Sequence, residues 1–109
     1  SMRSERRAEP RYLLRDPYRL NVFFGGREVE ATLADVSRSG ARLCFAAPPA
    51  LEGGASVVLH AVAAPFDTLF ADREARIIWV DGPQAGLAFA EPAEGDLEAI
   101  IRSVGGDRA

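Results

Sequence analysis

All 13 basic side chains of this 109-residue chain are arginine, and six of them, Arg3, Arg6, Arg7, Arg11, Arg15 and Arg19, crowd into the first 19 positions. Arg7 and Arg11 stand in an RxxxR spacing, directly preceded by Arg6. A guanidinium offers a rigid fork of donors and a flat face. The fork matches guanine O6 and N7, a pairing worth about 1–3 kcal/mol of discrimination. It also pairs with phosphate oxygens. Downstream lies Asp35-Val36-Ser37-Arg38-Ser39-Gly40, in which the Asp35 carboxylate can accept from the N1–H and N2–H₂ edge of a guanine. Taken alone, this hexapeptide is a hairpin turn, because Asp and Ser hydrogen-bond nearby backbone N–H groups. Gly40 adds a position that tolerates φ > 0 or the close approach of another group.

Catalytic chemistry finds less support. His60, the one histidine, lies mid-strand among apolar neighbours, where a packed or surface role is expected. Cys44 has nothing in sequence to pair it with His60 and a third orienting group, as an activated nucleophile requires. One His and one Cys make no metal cluster, and Asp67, Asp72 and Glu74 read as solvated acids. A single cysteine also excludes an internal disulfide. The expectation is a binding domain with no enzymatic activity, no metal and no cofactor.

Charge is unevenly placed. Residues 1–19 carry six arginines against Glu5, Glu9 and Asp16, a net of +3, whereas the remaining 90 residues carry seven against 13 acids, a net of −6. A basic arm on an acidic body focuses one anion site. The overall net charge of −3 argues against general DNA or RNA binding. The uniform use of arginine is compatible with coding bias and carries no functional weight. No apolar run approaches the roughly 20 residues of a membrane span. The charged N-terminus lacks the apolar stretch of a signal peptide, so a cytoplasmic location is expected.

Several short strands and one helix would position these residues. Residues 1–16 show no periodicity and read as a flexible arm, ordered at most near Arg11–Leu14. Pro17 to Phe24 reads as a strand, ended by the hairpin signal Gly25-Gly26. Glu28 to Val36 alternates, with Val29, Ala31 and Leu33 on one face. Ser39 to Ala46, Ser56 to Ala63, Leu69 to Val80 (bent near Asp72-Arg73) and Gln84 to Ala90 follow as strands between Gly- and Pro-rich breaks. Then the period changes: Leu97, Ile100, Ile101 and Val104 form one helical stripe, and Gly105-Gly106 ends it. Six strands with tight turns and a closing helix predict an all-β fold, a small six-stranded antiparallel barrel with a C-terminal α-helix. The organisation expected is an arm at 1–16, a barrel with helix at 17–105, and a tail at 106–109.

The pair Arg7-x-x-x-Arg11 and Asp35-x-Ser37-x-x-Gly40, with 23 residues between the halves, resembles the signature of PilZ domains. Arg3/Arg7 and Arg11/Arg15 share the spacing, but Pro10 just before Arg11 matches the proline that family members often carry there. The resemblance runs from about Arg6 to Val104. It implies the same barrel and a receptor for the bacterial second messenger cyclic di-GMP, held between arm and turn. It implies ligand contacts at Arg6, Arg7, Arg11, Asp35, Ser37 and Gly40. Arg38 and Trp79 are additional contacts to weigh. For Trp79, packing in the core or at the barrel rim is favoured over a stacking platform, and Arg38 and Arg42 read first as solvated charges. An arginine immediately before the motif goes, in the family, with two intercalated ligand molecules per chain. The arm is expected to be mobile until ligand folds it onto the barrel. The alternative is a degenerate PilZ-like adaptor that binds protein partners without nucleotide. An unrelated barrel binding oligonucleotide or oligosaccharide is disfavoured by the acidic charge. The downstream protein partner is not named by the sequence.

Overall fold

The computed structural model describes residues 9–95, 97–104 and 106–108; Arg6 and Arg7 lie outside the described residues. Its strands are β1 (Tyr12–Phe24), β2 (Arg27–Val36), β3 (Gly40–Phe45), β4 (Ser56–His60), β5 (Arg73–Asp81) and β6 (Gln84–Phe89), followed by helix α1 (Leu97–Ser103) and a two-residue strand β7 (Asp107–Arg108). Gly25 and Gly26, at φ +55° and +75°, form the tight turn that folds β2 back on β1. The strands are antiparallel in the order β2-β3-β6-β5-β4-β1, and β1 pairs again with β2, so the six close into a barrel.

Alternation decides what faces inward. Ala31 and Leu33 of β2, Ala41, Leu43 and Phe45 of β3, and Val57 and Leu59 of β4 are all buried. On α1, Leu97 and Ile101 join the core cluster with Tyr12, while Ile100 and Val104 pack at its margin. This is the stripe expected from the sequence. Glu98 and Arg102 pair across one turn at 3.2 Å on the exposed side.

Three boundaries differ from the expectation. First, β1 begins at Tyr12, not Pro17, so Tyr12 to Asp16 belong to the sheet rather than to a flexible arm. Tyr12 pairs with Val36 and with Arg108, and its ring is buried; tertiary pairing overrides a segment with little local β signal. Second, β5 begins at Arg73, not Leu69. Residues 61–72 form a loop that carries Phe66 and Phe70 into the core at 0% exposure. The Phe66 ring packs on Tyr18 and Phe70. Phe66, Leu69 and Phe70 follow a helical-turn spacing, and the Phe70 N–H donates to the Phe66 carbonyl. Arg73 holds this loop, donating to the Leu69 and Glu91 carbonyls at 2.7 and 2.9 Å and lying over the Phe89 ring. Third, residues 107–108, expected as tail, pair with β1.

Irregularities in pairing do the most to shape the outer surface. The β2–β3 register shifts between Leu33 and Asp35, β5–β6 between Ile77 and Trp79, and β1–β2 between Leu13 and Tyr18. Strict alternation would send Asp35 inward with Leu33, and Trp79 inward with Ile77. One extra residue at Ala34, and one at Ile78, turns each outward instead, as bulges do.

Candidate ligand-binding site

The hexapeptide singled out in the sequence is a hairpin turn with Arg38-Ser39 at its tip. The Ser37 N–H donates to the Gly40 carbonyl at 2.8 Å, and the buried Ser37 hydroxyl donates to the same oxygen at 3.4 Å. The turn is then strapped to the rest of the barrel. The Phe89 N–H donates to the Ser39 carbonyl, and the Ala93 N–H to the Arg38 carbonyl, both at 2.7 Å. Arg38 Nε reaches the Ala93 carbonyl at 3.4 Å. A Cβ on Gly40 would stand 2.1 Å from the Leu87 carbonyl oxygen. The group that comes close to Gly40 is therefore strand β6, and φ at Gly40 is not positive.

Asp35 is the buried charge of the site, 7% exposed. Its Oδ2 accepts from Arg42 Nε at 2.8 Å, and Arg42 Nη1 in turn donates to Gln84 Oε1 at 3.1 Å. Oδ1 is buried and has no hydrogen-bond partner among the described residues. Arg11 Nη2 approaches it to 3.8 Å, within ion-pair range, from a guanidinium half exposed to solvent. The second arginine of the RxxxR pair and the first residue of the turn motif are thus brought face to face.

Glu9 also enters the site. Its carboxylate Oε2 accepts from the Ser39 N–H at 3.3 Å and from the Ser39 hydroxyl. Partial burial pushes the Glu9 carboxyl up. Hydrogen bonds from Ser39, the neighbouring Ser37 hydroxyl and the Arg38 charge outweigh this and hold it below its ordinary value of 4.5.

Register extends the site sideways. Leu13 pairs with Asp35, Asp35 with Arg42, Arg42 with Gly86, and Gly86 with Trp79. These five residues form one outward-facing row across adjacent strands, each spaced about 4.8 Å from the next. Trp79 lies over Gly86, where a Cβ would fall 2.2 Å from the indole Nε1, and the residue is 41% exposed. Core burial, one form of the packing expected for Trp79, does not occur; it lies on the outer face in the row of Asp35.

From sequence alone Arg42 reads first as a solvated strand charge, and Glu9, Ser39 and Gln84 have no role in the site. A signal for Arg42 was present: counting outward from a two-residue loop at Arg38-Ser39 pairs Ser37 with Gly40, Val36 with Ala41, and Asp35 with Arg42. His60 pairs with Asp72 at 2.9 Å. It sits on β4, separated from Cys44 on β3 by β5 and β6, so the two cannot share a reaction centre. A cavity of about 740 Å³ elsewhere on the barrel is lined by Phe23, Val58, Ile78 and neighbours and by no motif residue. Among the described residues no helix is long and apolar enough to cross a membrane.

The fold is thus a closed β-barrel that sets an acid–serine–glycine turn against an arginine-bearing segment. The chain belongs to the PilZ domain family, whose family model matches residues 5–106. PilZ domains are binding and adaptor domains, and the family is one of cyclic di-GMP receptors. No curated protein matches the chain.

Proposed function

We propose that this chain is a non-enzymatic cyclic di-GMP receptor of the bacterial cytoplasm, with the nucleotide held between the Arg7-x-x-x-Arg11 segment and the Asp35–Gly40 turn. The observation that carries this reading is Asp35 Oδ1. It is buried, lacks a hydrogen-bond donor among the described residues and faces Arg11 at 3.8 Å. A buried carboxylate oxygen without a donor is costly, and each such group calls for an explanation. A guanine N1–H and N2–H₂ edge would supply the missing donors. Arg11, with Arg7 and Arg6 from the arm, would take the Hoogsteen edges and phosphates. Trp79, in the same row, offers an exposed aromatic face to the ligand, and Arg38 at the tip of the turn adds positive charge.

The test is titration calorimetry with cyclic di-GMP on the unaltered protein and on Arg7→Ala and Arg11→Ala. Binding by the former and its abolition or severe weakening in both variants, with circular dichroism unchanged, is the expected result. Unchanged affinity in Arg11→Ala would remove Arg11 from the site. Absence of binding by the unaltered protein overturns the proposal and leaves the adaptor that binds protein partners without nucleotide.

A further inference from the structure

Glu9 lies two positions before Arg11, inside the RxxxR spacing, and it is engaged by the turn. Its carboxylate is tied to Ser39 by two hydrogen bonds and lies beside Arg38. Pro10 links it to Arg11, and the pyrrolidine ring fixes φ at that one intervening residue. Fixing Glu9 therefore restricts where Arg11 can go. Arg11 is found with its guanidinium 3.8 Å from Asp35. On the far side, Tyr12 is pinned by pairing with Val36 and by burial of its ring. Arg11 is thus held between two anchors.

Two roles are open to such an acid. It could occupy the ligand's place and compete with it, or it could hold the arm where the ligand needs it. The atoms decide between them. Glu9 takes its hydrogen bonds from Ser39 and its charge contact from Arg38, two of the three positions that the D-x-S-x-x-G pattern leaves unspecified, with the motif residue Ser37 close by. Asp35 Oδ1 remains without a hydrogen-bond donor among the described residues. The Glu9 carboxylate grips the rim of the turn and does not engage Asp35.

We propose that Glu9 is a positioning residue: its contact with Ser39 latches the arginine-bearing segment onto the turn before the nucleotide arrives. The inference rests on the ligand site proposed above and extends it. Ordering a segment at the moment of binding subtracts from affinity, and a segment ordered beforehand avoids that loss. The latch lowers the fraction of molecules in which Arg11 is away from Asp35, so the observed affinity approaches the intrinsic one.

The experiment has two readouts on Glu9→Ala, Ser39→Ala, their double variant and Ser39→Thr. The first is amide hydrogen exchange of residues 11–13 without ligand. It should quicken about tenfold in both alanine variants, the equilibrium worth of one charge-assisted hydrogen bond. Amides of β3 and β6 should be unchanged, and Ser39→Thr, which keeps the hydroxyl, should behave as the unaltered protein. The second is calorimetry with cyclic di-GMP. Affinity should fall about tenfold in each alanine variant, by no more in the double variant, and recover in Ser39→Thr. Unchanged exchange at residues 11–13 overturns the latch. Quickened exchange with unchanged or tighter binding overturns its positioning role, tighter binding marking Glu9 as a competitor. If the unaltered protein binds no nucleotide, the function proposed above fails, and exchange alone still decides for or against the latch.

Discussion

A methyl group placed on Gly40 would meet the Leu87 carbonyl oxygen at 2.1 Å, and that oxygen belongs to backbone held by the β3–β6 ladder. It cannot swing aside as a flexible side chain would. Gly40→Ala should therefore destabilise the barrel by about 1–3 kcal/mol, as overpacking does. Urea denaturation will read this directly; a change of less than about 0.5 kcal/mol, the range of an unremarkable surface substitution, would show that β6 yields. Arg42 acts differently. Its removal leaves the Asp35 carboxylate buried without its hydrogen-bonded partner, so Arg42→Ala should lose about 1–3 kcal/mol. The double variant Asp35→Ala/Arg42→Ala should lose less than the sum of the singles, because the stranded charge is gone. Strict additivity in denaturation would mean that Arg42 supports the fold by packing alone. Glu9 gives the site a pH dependence. Its folded-state value lies below 4.5, so its contribution is complete above 4.5 and drains away as pH falls through the folded value. The Ser39 amide resonance should report this acidic step, and Glu9→Ala should abolish it. Persistence of the step in that variant would assign it to another acid.

At the scale of elements, the readable parts were those with an uninterrupted period. Two-fold alternation in β2, β3 and β4 identified the inward faces, and the 3.6-residue stripe at Leu97, Ile100, Ile101 and Val104 identified the helix. What escaped was where the period breaks. A bulge leaves no mark in composition, yet a single extra residue at Ala34 or Ile78 decides whether Asp35 or Trp79 lies on the inner or the outer face of the barrel. Residues 69–72 were misread because Leu69 and Phe70 have strand-like side chains, while their partners lie in the loop they belong to. The motif turn was visible because its polar and glycine residues are set by local chemistry. The Arg42 clamp on Asp35 was hidden because it depends on pairing between strands. The row from Leu13 to Trp79 leads to a measurable outcome. Trp79 is the one tryptophan of the chain, partly exposed, and aligned with Asp35 across three strand spacings. Its fluorescence should change in intensity or wavelength when cyclic di-GMP binds, and should saturate at the calorimetric stoichiometry. Constant emission alongside confirmed binding would confine the ligand to the β1–β2–β3 side of the row.

For the molecule as a whole, charge and closure work together. Residues 20–109 carry most of the acids and residues 1–19 a net of +3, and among the described residues of that segment Arg11 lies at the edge where β1, the turn and Asp35 meet. An anionic ligand is drawn to that edge and repelled elsewhere, so binding should weaken with added salt. The number of ligands follows from how many guanidinium groups the edge can offer. Arg6, which lies outside the described residues, makes the motif Arg-Arg-x-x-x-Arg. Two intercalated cyclic di-GMP molecules stack four guanines, presenting more Hoogsteen edges than Arg7 and Arg11 alone can use, and they double the phosphate charge to be offset. A third guanidinium answers both demands. We therefore expect two ligand molecules per chain, with Arg6→Leu shifting the ratio toward one while leaving the fold intact. Calorimetry checks this, provided the fraction of active protein is measured independently. A ratio near one for the unaltered protein would reduce Arg6 to a charge that attracts ligand without contacting it. In that case Arg6→Leu should slow association at low salt and leave the ratio unchanged.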